Sequence, residues 1–382
     1  MSMASTPDGR YSMGEIDVSV APVDPSTAHR HQVLRLLNAA CAVTAVGLLT
    51  VSCSTPTGSS TSAGSSPSSS RAHAATAPGS AAPGSPTQTG AAGTPSVRLT
   101  SALAAFTLPA AVSRPTVFAT GGGLLVVGGL TAADSTTSSI LRVDLARTTV
   151  RQAGQLPVPV HDAAGAVVKG RDLLFGGGST AVSSAVQDVT PGASPRVISH
   201  LPQPRADLVA VSDGTAGYVL GGFNGSTGST SILRTRDGRT FATVGTLPVS
   251  VRYPAVAVSG GAVWLFGGEH AGRQTTDVQR IDLTTGRGSV AGHLPHPLAH
   301  ASAFTLRGAV FVAGGRTGAT VTDAVLRFDP ARIRFTAVGH LPGALSDFGV
   351  AVVGSTAYLV GGESPKPVNT VIQVRAQAGG TP

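Results

Sequence analysis

The sequence predicts an all-β, six-bladed β-propeller over residues 96–376, and three observations predict it. Six Leu-Pro pairs are each followed, at a fixed offset of 20 residues, by a Gly-Gly pair. A short apolar or alternating run, typical of a β-strand, precedes every Gly-Gly pair. The units repeat about every 47 residues, a period typical of propeller blades. The leucines are Leu108, Leu156, Leu201, Leu247, Leu294 and Leu341, and the Gly-Gly pairs begin at Gly128, Gly176, Gly221, Gly267, Gly314 and Gly361.

Each unit is predicted to supply four strands. The first is an alternating run such as residues 208–211, and a glycine turn separates it from a strongly apolar second strand such as residues 264–266. The third strand carries an Asp in three units, and the fourth leads into the next Leu-Pro, as in residues 334–338. Because glycine adopts backbone angles that other residues resist, the paired glycines are expected where strands approach closely.

The ends of the domain are predicted to close the ring. The last unit has a third strand near residues 368–374 and no sequence left for a fourth. Residues 96–107 precede the first Leu-Pro, where a fourth strand belongs. We therefore expect residues 96–107 to form the outer strand of the last blade, because closure removes an open sheet edge.

This pattern resembles the Kelch repeat, a β-propeller family of the galactose oxidase-like superfamily. The resemblance covers about three quarters of the chain and rests on the Gly-Gly pairs and on Phe328-Asp329-Pro330. The sequence departs from the family in two respects. The Trp that many Kelch units place on the fourth strand is absent, and Trp264 lies on the second; the usual Tyr before Gly-Gly appears only as Tyr218 and Tyr358. The resemblance implies that the Leu-Pro loops and the loops after Gly-Gly share one face.

The apolar run at residues 36–53 predicts attachment to a membrane. It follows Arg30 and Arg35 and ends at Cys53, and its end resembles a bacterial lipobox in which Leu49 stands one residue early. Cys53 is therefore predicted to be lipidated after cleavage, with an uncleaved signal anchor and a buried core helix as alternatives. Either of the first two places the propeller on the outer face of the cytoplasmic membrane, in the cell envelope, because the Arg residues flank the N-terminal side.

The segments around the propeller are predicted to be disordered. Residues 54–95 are almost entirely Ser, Thr, Gly, Ala and Pro, and they bury too little apolar surface to offset the entropy of ordering. They are expected to act as a flexible tether between the membrane and the propeller. Residues 1–35 are expected to be a disordered leader and residues 377–382 a disordered tail.

Composition narrows the possible functions. The net charge is +8, almost all of it from Arg, which could favour anionic envelope polymers or lipid headgroups. No basic run with interleaved aromatic residues indicates nucleic-acid binding. The two cysteines, Cys41 and Cys53, both precede the propeller, so a cysteine-based nucleophile or metal site in it is excluded. We expect a monomer without a cofactor.

The candidate site is the mouth of the central channel. It is predicted from two equivalent positions, six residues after each Leu and two residues after each first glycine, together with two neighbouring arginines. Polar groups that converge on a concave mouth are typical of a ligand site, whereas the alternative is that they cap strand ends and face solvent. The predicted residues are Arg114, Asp162, Arg205, Asp207, Arg252, Tyr253, Glu269, His300, Arg316, Asp347 and Glu363.

Two other motifs have structural explanations that are simpler than a functional site. His293, His296 and His300 are close in sequence, but His293 belongs to a recurring His-Leu-Pro element, which favours a structural place at a strand end over a metal site. Residues 235–241 resemble the Asp-box of sialidases with one residue missing, and a turn between two outer strands is the simpler interpretation.

The function expected from the sequence is binding or scaffolding at the envelope, with a glycan or a protein as the partner. The alternative is a carbohydrate-active enzyme of the sialic acid mutarotase or lyase type. Sialic acid mutarotases are six-bladed Kelch proteins of the envelope, but their catalytic residues find no match in this sequence, so that alternative rests on fold analogy. The chemistry of copper radical oxidases with this fold needs a cysteine that the propeller lacks.

Overall fold

The computed structural model describes residues 97–378. The predictions for residues 1–95, including lipidation at Cys53, lie outside the described residues, as does most of the predicted tail. Within residues 97–378 no helix is long and apolar enough to cross a membrane. The described chain is all-β and forms six four-stranded antiparallel blades arranged in a ring, as the sequence predicts.

The blades are numbered in chain order, and the strands of each lie side by side from the ring axis outward. From inner to outer strand, their bounds are Thr116–Thr120, Gly123–Val127, Ser139–Asp144 and Thr149–Gln155 in blade 1; Ala164–Val168, Arg171–Phe175, Ala185–Asp188 and Arg196–His200 in blade 2; Ala206–Ser212, Gly217–Phe223, Ser231–Thr235 and Ala242–Thr246 in blade 3; Ala255–Ser259, Ala262–Phe266, Asp277–Asp282 and Gly288–His293 in blade 4; Ser302–Leu306, Ala309–Ala313, Ala324–Asp329 and Arg334–His340 in blade 5; and Gly349–Val353, Thr356–Val360, Val371–Ala378 and Val97–Leu103 in blade 6. Short two-stranded ribbons also pair Val112–Ser113 with Leu130–Thr131, Glu269–His270 with Arg273–Gln274, and Arg316–Thr317 with Thr320–Val321.

Blade 6 closes the ring as predicted. Its outer strand is Val97–Leu103, which pairs antiparallel with Val371–Ala378 from Val97 opposite Ala378 to Leu103 opposite Ile372. The third strand therefore begins and ends later than the predicted residues 368–374, because the loop after the last Gly-Gly extends to Thr370. Closure joins the two ends of the domain and leaves no blade with a missing strand.

The hydrophobic core is divided into six clusters, one at each junction between neighbouring blades. Between blades 4 and 5, Trp264 and Phe266 pack edge-on against Phe328 with ring centroids 4.9 and 5.0 Å apart. Between blades 6 and 1, Tyr358 and Val360 pack with Leu124 and Val126. Because a blade buries its faces only against its neighbours, the apolar second strands stabilise the ring rather than the isolated blade.

The Gly-Gly pairs tie each blade to the next. The N–H of the second glycine donates to a carbonyl in the next Leu-Pro loop, as from Gly268 to Leu298 at 2.7 Å. Every first glycine has a φ between +59° and +65°. A Cβ at that position would lie only 2.1 to 2.7 Å from the same carbonyl oxygen. Both the backbone angle and the close approach therefore require glycine.

The propeller has two faces of different chemistry. The mouth face holds the Leu-Pro loops and the loops after Gly-Gly, and the turn face holds the turns between first and second strands and between third and fourth strands. Among the described residues, the mouth face has two exposed basic side chains, Arg273 and Lys366, and Arg151 is exposed on the outer strand of blade 1. The other exposed basic residues lie on the turn face: Arg98, Arg147, Lys169, Arg196, Arg236, Arg239, Arg287, Arg307, Arg332, Arg334 and Arg375.

Aspartates on the turn face hold the turns. The Asp that ends three of the third strands accepts backbone hydrogen bonds from the turn that follows, as Asp282 does from Thr284 and Thr285 at 2.9 and 3.0 Å. These bonds lower the pKa of Asp282. The recurring Asp is thus explained by local turn geometry.

Candidate functional site

A closed ring of backbone hydrogen bonds surrounds the channel on the mouth face. The residue six places after each Leu donates its N–H to the carbonyl of its counterpart in the preceding blade, at distances from 2.6 to 3.4 Å. All six have φ between +50° and +59°, so each turns the chain sharply from the loop into the inner strand. We call them the ring residues: Arg114, Asp162, Asp207, Tyr253, His300 and Asp347.

A second tier lies beside the ring residues. The residue before each ring residue pairs with the residue two places after the first glycine of the same blade. In blade 4 this pair is Arg252 and Glu269, which exchange backbone hydrogen bonds of 2.9 and 2.7 Å. In blade 6 it is Ser346 and Glu363, at 3.1 and 2.7 Å. This pairing places the residue two places after the first glycine next to the ring residue of the same blade, so the two positions predicted from the sequence lie side by side.

The ring residues border a cavity of about 210 Å³. Below them, the wall is formed by the first strands of the blades, with apolar side chains such as Val117, Val209, Val256 and Val350. The cavity therefore has a charged rim and an apolar wall.

One side of the rim is an acid–base cluster around His300. Its Nδ1 lies 2.6 Å from Asp347 Oδ1, and its Nε2 lies 3.5 Å from Glu269 Oε1. Asp347 also accepts hydrogen bonds from Ser346 at 2.8 Å and from Arg316 at 3.2 Å. The side chains of Asp347 and His300 are only 2% and 10% exposed, so this pair is largely withdrawn from water.

Arg316 and Arg114 extend the cluster across the rim. Arg316 Nη2 donates to Glu363 Oε2 at 2.5 Å. Arg114 Nε lies 3.5 Å from Glu363 and 3.6 Å from Asp347, and its Nη1 donates to Asp162 at 3.2 Å. Charged contacts therefore run without a break from Glu269 through His300 and Asp347 to Asp162.

A second histidine stands at the far end of this chain of contacts. His161 Nε2 lies 3.8 Å from Asp162 Oδ2, and its Nδ1 is 2.9 Å from the hydroxyl of Thr136. Burial and the charge of Arg114 lower the pKa of His161 to about 4. Because this value is well below 7, His161 is neutral at pH 7.

His300 is shifted in the opposite direction. Burial alone would lower its pKa, but hydrogen bonds to Asp347 and Glu269 outweigh it and raise the pKa to about 9. Burial alone would raise the pKa of Asp347, but the hydrogen bond and positive charge of His300 outweigh burial and lower the pKa to about 2. His300 is consequently an imidazolium at pH 7, held by two carboxylates.

Asp162 is a rim carboxyl whose pKa is raised to near neutrality. Burial raises its pKa to about 7 against the attraction of Arg114, and the nearby charges of Asp207 and Asp347 add to the rise. The mouth therefore contains groups that differ widely in proton affinity, a pattern typical of acid–base sites and also of structural ion networks.

Aromatic faces complete the rim on the side of blades 3 and 4. The Tyr253 ring stacks on His300 with centroids 4.1 Å apart. Arg252 donates to Asp207 at 2.6 Å and lies over the Phe223 ring at 4.3 Å. These contacts order the rim by stacking and cation–π attraction.

The structure brings ten of the eleven predicted residues to the mouth, and Arg205 lies apart from them. Its side chain is 2% exposed and occupies the interblade position that holds Val or Leu in the other five blades. The guanidinium donates to the Ser231 carbonyl at 2.9 Å and the Ser231 hydroxyl at 2.5 Å. Burial lowers the pKa of Arg205 to about 10.

The prediction from sequence omitted His161, Ser346 and Phe223. A signal for them was present, because His161 and Ser346 occupy the same repeat position as Arg252, and Phe223 the same position as Glu269. All three contact or border residues that were predicted.

The other sequence motifs have structural roles. His293 and His340 end outer strands and lie largely exposed beside Asp277 and Asp323. In residues 97–378, no group of His, Cys, Asp and Glu side chains is arranged to hold a metal ion. Residues 235–241 form the turn between the outer two strands of blade 3, where Asp237 accepts from the N–H groups of Arg239 and Thr240 at 2.8 Å.

Comparison with known proteins supports the fold. No family model matches the chain, and no curated protein matches it significantly. Among solved structures, "Structure of YjhT" is similar, with a TM-score of 0.60 and 18% identity over 71% of this chain and 99% of that one. At this identity the likeness shows the propeller fold alone. The fold and site together define a six-bladed β-propeller with a charged channel mouth over a cavity of about 210 Å³.

Proposed function

We propose that the propeller binds a glycan at the channel mouth and receives one sugar residue there. The observation that carries this proposal is the convergence of ten charged or aromatic rim side chains over a cavity of about 210 Å³. Pockets for drug-sized ligands are about 300–1,000 Å³, so a single sugar ring matches the size better than a peptide. A protein partner would instead favour a broad, shallow surface.

The rim charges favour a ligand rich in hydroxyl groups. Arg114, Arg252 and Arg316 are each paired with carboxylates of the rim, and His300 is paired with two. A strongly charged ligand would have to break such pairs. Sugar hydroxyls can donate to the carboxylates and accept from the guanidinium groups without replacing either.

A glycan-array screen followed by calorimetric titration tests this proposal. The double variant Glu269→Gln/Glu363→Gln keeps the size of both side chains, removes two negative charges and replaces one acceptor oxygen of each carboxylate with an NH2 donor. We expect binding to weaken at least about tenfold, because charge-assisted hydrogen bonds are worth about 1.5–3 kcal/mol each. Asp277→Asn/Asp323→Asn, at the exposed strand ends, is the matched control and should bind like the parent. If the parent, the double variant and the control bind the glycan with equal affinity, the channel mouth is not the binding site.

A second candidate, favoured by the opposed pKa values of two rim histidines, is acid–base turnover of a bound sugar. Mutarotation is one such reaction: a base removes the proton of the anomeric hydroxyl, the bond between the anomeric carbon and the ring oxygen breaks, and the ring oxygen gains a proton. At pH 7 His161 is neutral and His300 carries a proton, the two states that this transfer needs. Their pKa values of about 4 and about 9 make them a weak base and a weak acid, so we expect a modest acceleration. The carboxyl of Asp162, beside His161, can relay the proton.

Exchange spectroscopy by NMR separates the two candidates. For a panel of reducing sugars that includes a neutral hexose and a sialic acid, an enzyme accelerates exchange between anomers, and His161→Gln and His300→Gln each abolish the acceleration. Binding without acceleration in the parent protein leaves glycan binding as the function and excludes mutarotation.

The proposal includes attachment of the protein to a membrane. The predicted lipidation of Cys53 would hold the propeller on the outer face of the cytoplasmic membrane through the linker at residues 54–95. A Cys53→Ala variant should then remain soluble or uncleaved in fractionated cells. If that variant still partitions with membranes at its mature size, the lipid-anchor proposal is wrong.

A further inference from the structure

The described basic residues are distributed unevenly between the two faces. Eleven exposed Arg and Lys side chains lie on the turn face, against two on the mouth face. Three of the eleven, Arg147, Arg196 and Arg332, form ion pairs of 2.8–2.9 Å with carboxylates of the same face. The exposed carboxylates Asp213 and Asp237 accept hydrogen bonds from backbone N–H groups of their own turns. The positive charge of the propeller is therefore presented mainly on one side.

The chain joins the propeller at this same side. Val97 pairs with Ala378, the last residue of a strand that runs from the mouth face to the turn face. The sequence that precedes Val97 therefore reaches the domain at the edge of the turn face. The predicted membrane attachment at Cys53 precedes this point in the chain.

We propose that the turn face docks on an anionic lipid surface and so directs the channel mouth away from the membrane. An anionic leaflet attracts basic side chains within about one Debye length, roughly 8–10 Å, so the attraction acts on a face that approaches the bilayer. The basic side chains are spread over the turns of blades 1 to 5 and the strand ends of blade 6 instead of lining one groove, which fits a broad surface of headgroups. A lipid is favoured over a soluble polymer because the chain enters at this face from its predicted membrane-attached end.

Docking can be measured apart from the anchor. Fragment 87–382 forms one compact unit and keeps all six blades, the closing strand and every interblade cluster. We expect it to sediment with phosphatidylglycerol-containing vesicles at low salt, to be released at about 0.5 M salt, and to stay in solution with phosphatidylcholine vesicles.

Charge reversal identifies the face that binds. Lys169, Arg236 and Arg287 are exposed turn residues of three neighbouring blades. Each basic residue contributes about fivefold to binding an anionic membrane, so the loss of three should weaken binding by about 100-fold. Lys169→Glu/Arg236→Glu/Arg287→Glu also adds three repulsive charges, so it should weaken vesicle binding by at least about 100-fold. The matched control, Arg151→Glu/Arg273→Glu/Lys366→Glu, reverses three exposed charges off the turn face and should bind nearly as well as the parent fragment.

Several outcomes would overturn the docking proposal. Equal losses in the two triple variants would mean that net charge, and not the turn face, governs binding. Binding to neither vesicle type, or tighter binding to a soluble polyphosphate than to vesicles, would exclude a lipid surface as the partner. Circular dichroism and melting curves of both variants ensure that a loss reflects charge, and none of these results depends on whether the mouth binds a sugar.

Discussion

The requirement for glycine at the blade junctions makes a quantitative prediction. Gly267→Ala places a methyl group 2.1 Å from the Leu298 carbonyl oxygen, whereas Gly354→Ala meets nothing within 4 Å. The two glycines have nearly the same φ, +59° and +60°, so the cost of a left-handed alanine is shared. The pair therefore isolates the effect of the interblade contact.

The magnitudes follow from the geometry. A left-handed alanine costs about 1–2 kcal/mol, and that is the whole expected loss for Gly354→Ala. In Gly267→Ala the Leu298 carbonyl must move, which breaks its 2.7 Å hydrogen bond from Gly268. A buried polar group left unpaired costs a further 1–3 kcal/mol or so, and overpacking adds about 1–3 kcal/mol. Gly267→Ala should thus lose about 3–5 kcal/mol or more.

Urea unfolding of fragment 87–382 measures both losses. The free energy of unfolding should fall at least about 2 kcal/mol further for Gly267→Ala than for Gly354→Ala, from the unpaired carbonyl and the overpacking together. Equal losses would refute the reasoning, because they would show that the backbone angle alone explains the glycine and that the blade junction tolerates a side chain.

Three further predictions concern closure, pH and the buried arginine. Removing residues 87–103 from fragment 87–382 should lower its stability by about 4 kcal/mol or more, because the edge that holds Ile372 and Val374 loses its cover; an unchanged melting temperature would contradict closure. The raised pKa of His300, about 9 in the folded protein against 6.5 unfolded, contributes stability that is fully present below pH 6.5 and lost as the pH rises through 9. Between pH 6.5 and 9 the free energy of unfolding of the parent should therefore fall by up to about 3 kcal/mol, and that of His300→Gln should lack this fall. Parallel plots of the free energy of unfolding against pH for parent and variant would disprove the ion cluster. Arg205→Val should leave the free energy of unfolding within about 1 kcal/mol or raise it, since a buried cation is often replaced by apolar residues without loss; a clear drop in melting temperature would show that its bonds to Ser231 outweigh its burial.

The fold could be predicted because its signal is local and repeated. Each blade carries its own Leu-Pro and Gly-Gly pairs, so the six copies of one pattern predict the number of blades, the order of their strands and the need for a closing strand. The end of the last blade was placed less well. Its third strand extends to Ala378, which depends on pairing with Val97 at the other end of the domain.

The repeat pattern could predict which residues lie at the channel mouth, but not which of their side chains contact one another. The rule of six residues after Leu found the ring residues because all six loops share one geometry. Arg205 was misplaced because side chains in this loop alternate between the core and the mouth, and its position holds Val or Leu in the other blades. The pairing of His300 with Asp347 joins residues 47 apart in neighbouring blades, so no local pattern could reveal it or the pKa shifts that follow.

The claim that ligands bind at the mouth is tested most directly by histidine NMR. The described propeller has seven histidines on its mouth face. His300 borders the cavity and His161 lies beside the rim residue Asp162, while His200, His293 and His340 end outer strands. On titration with a glycan identified by the array, the ring signals of His161 and His300 should shift in proportion to the bound fraction, and those of the strand-end histidines should stay in place. Saturable binding that leaves His161 and His300 unmoved would contradict the account.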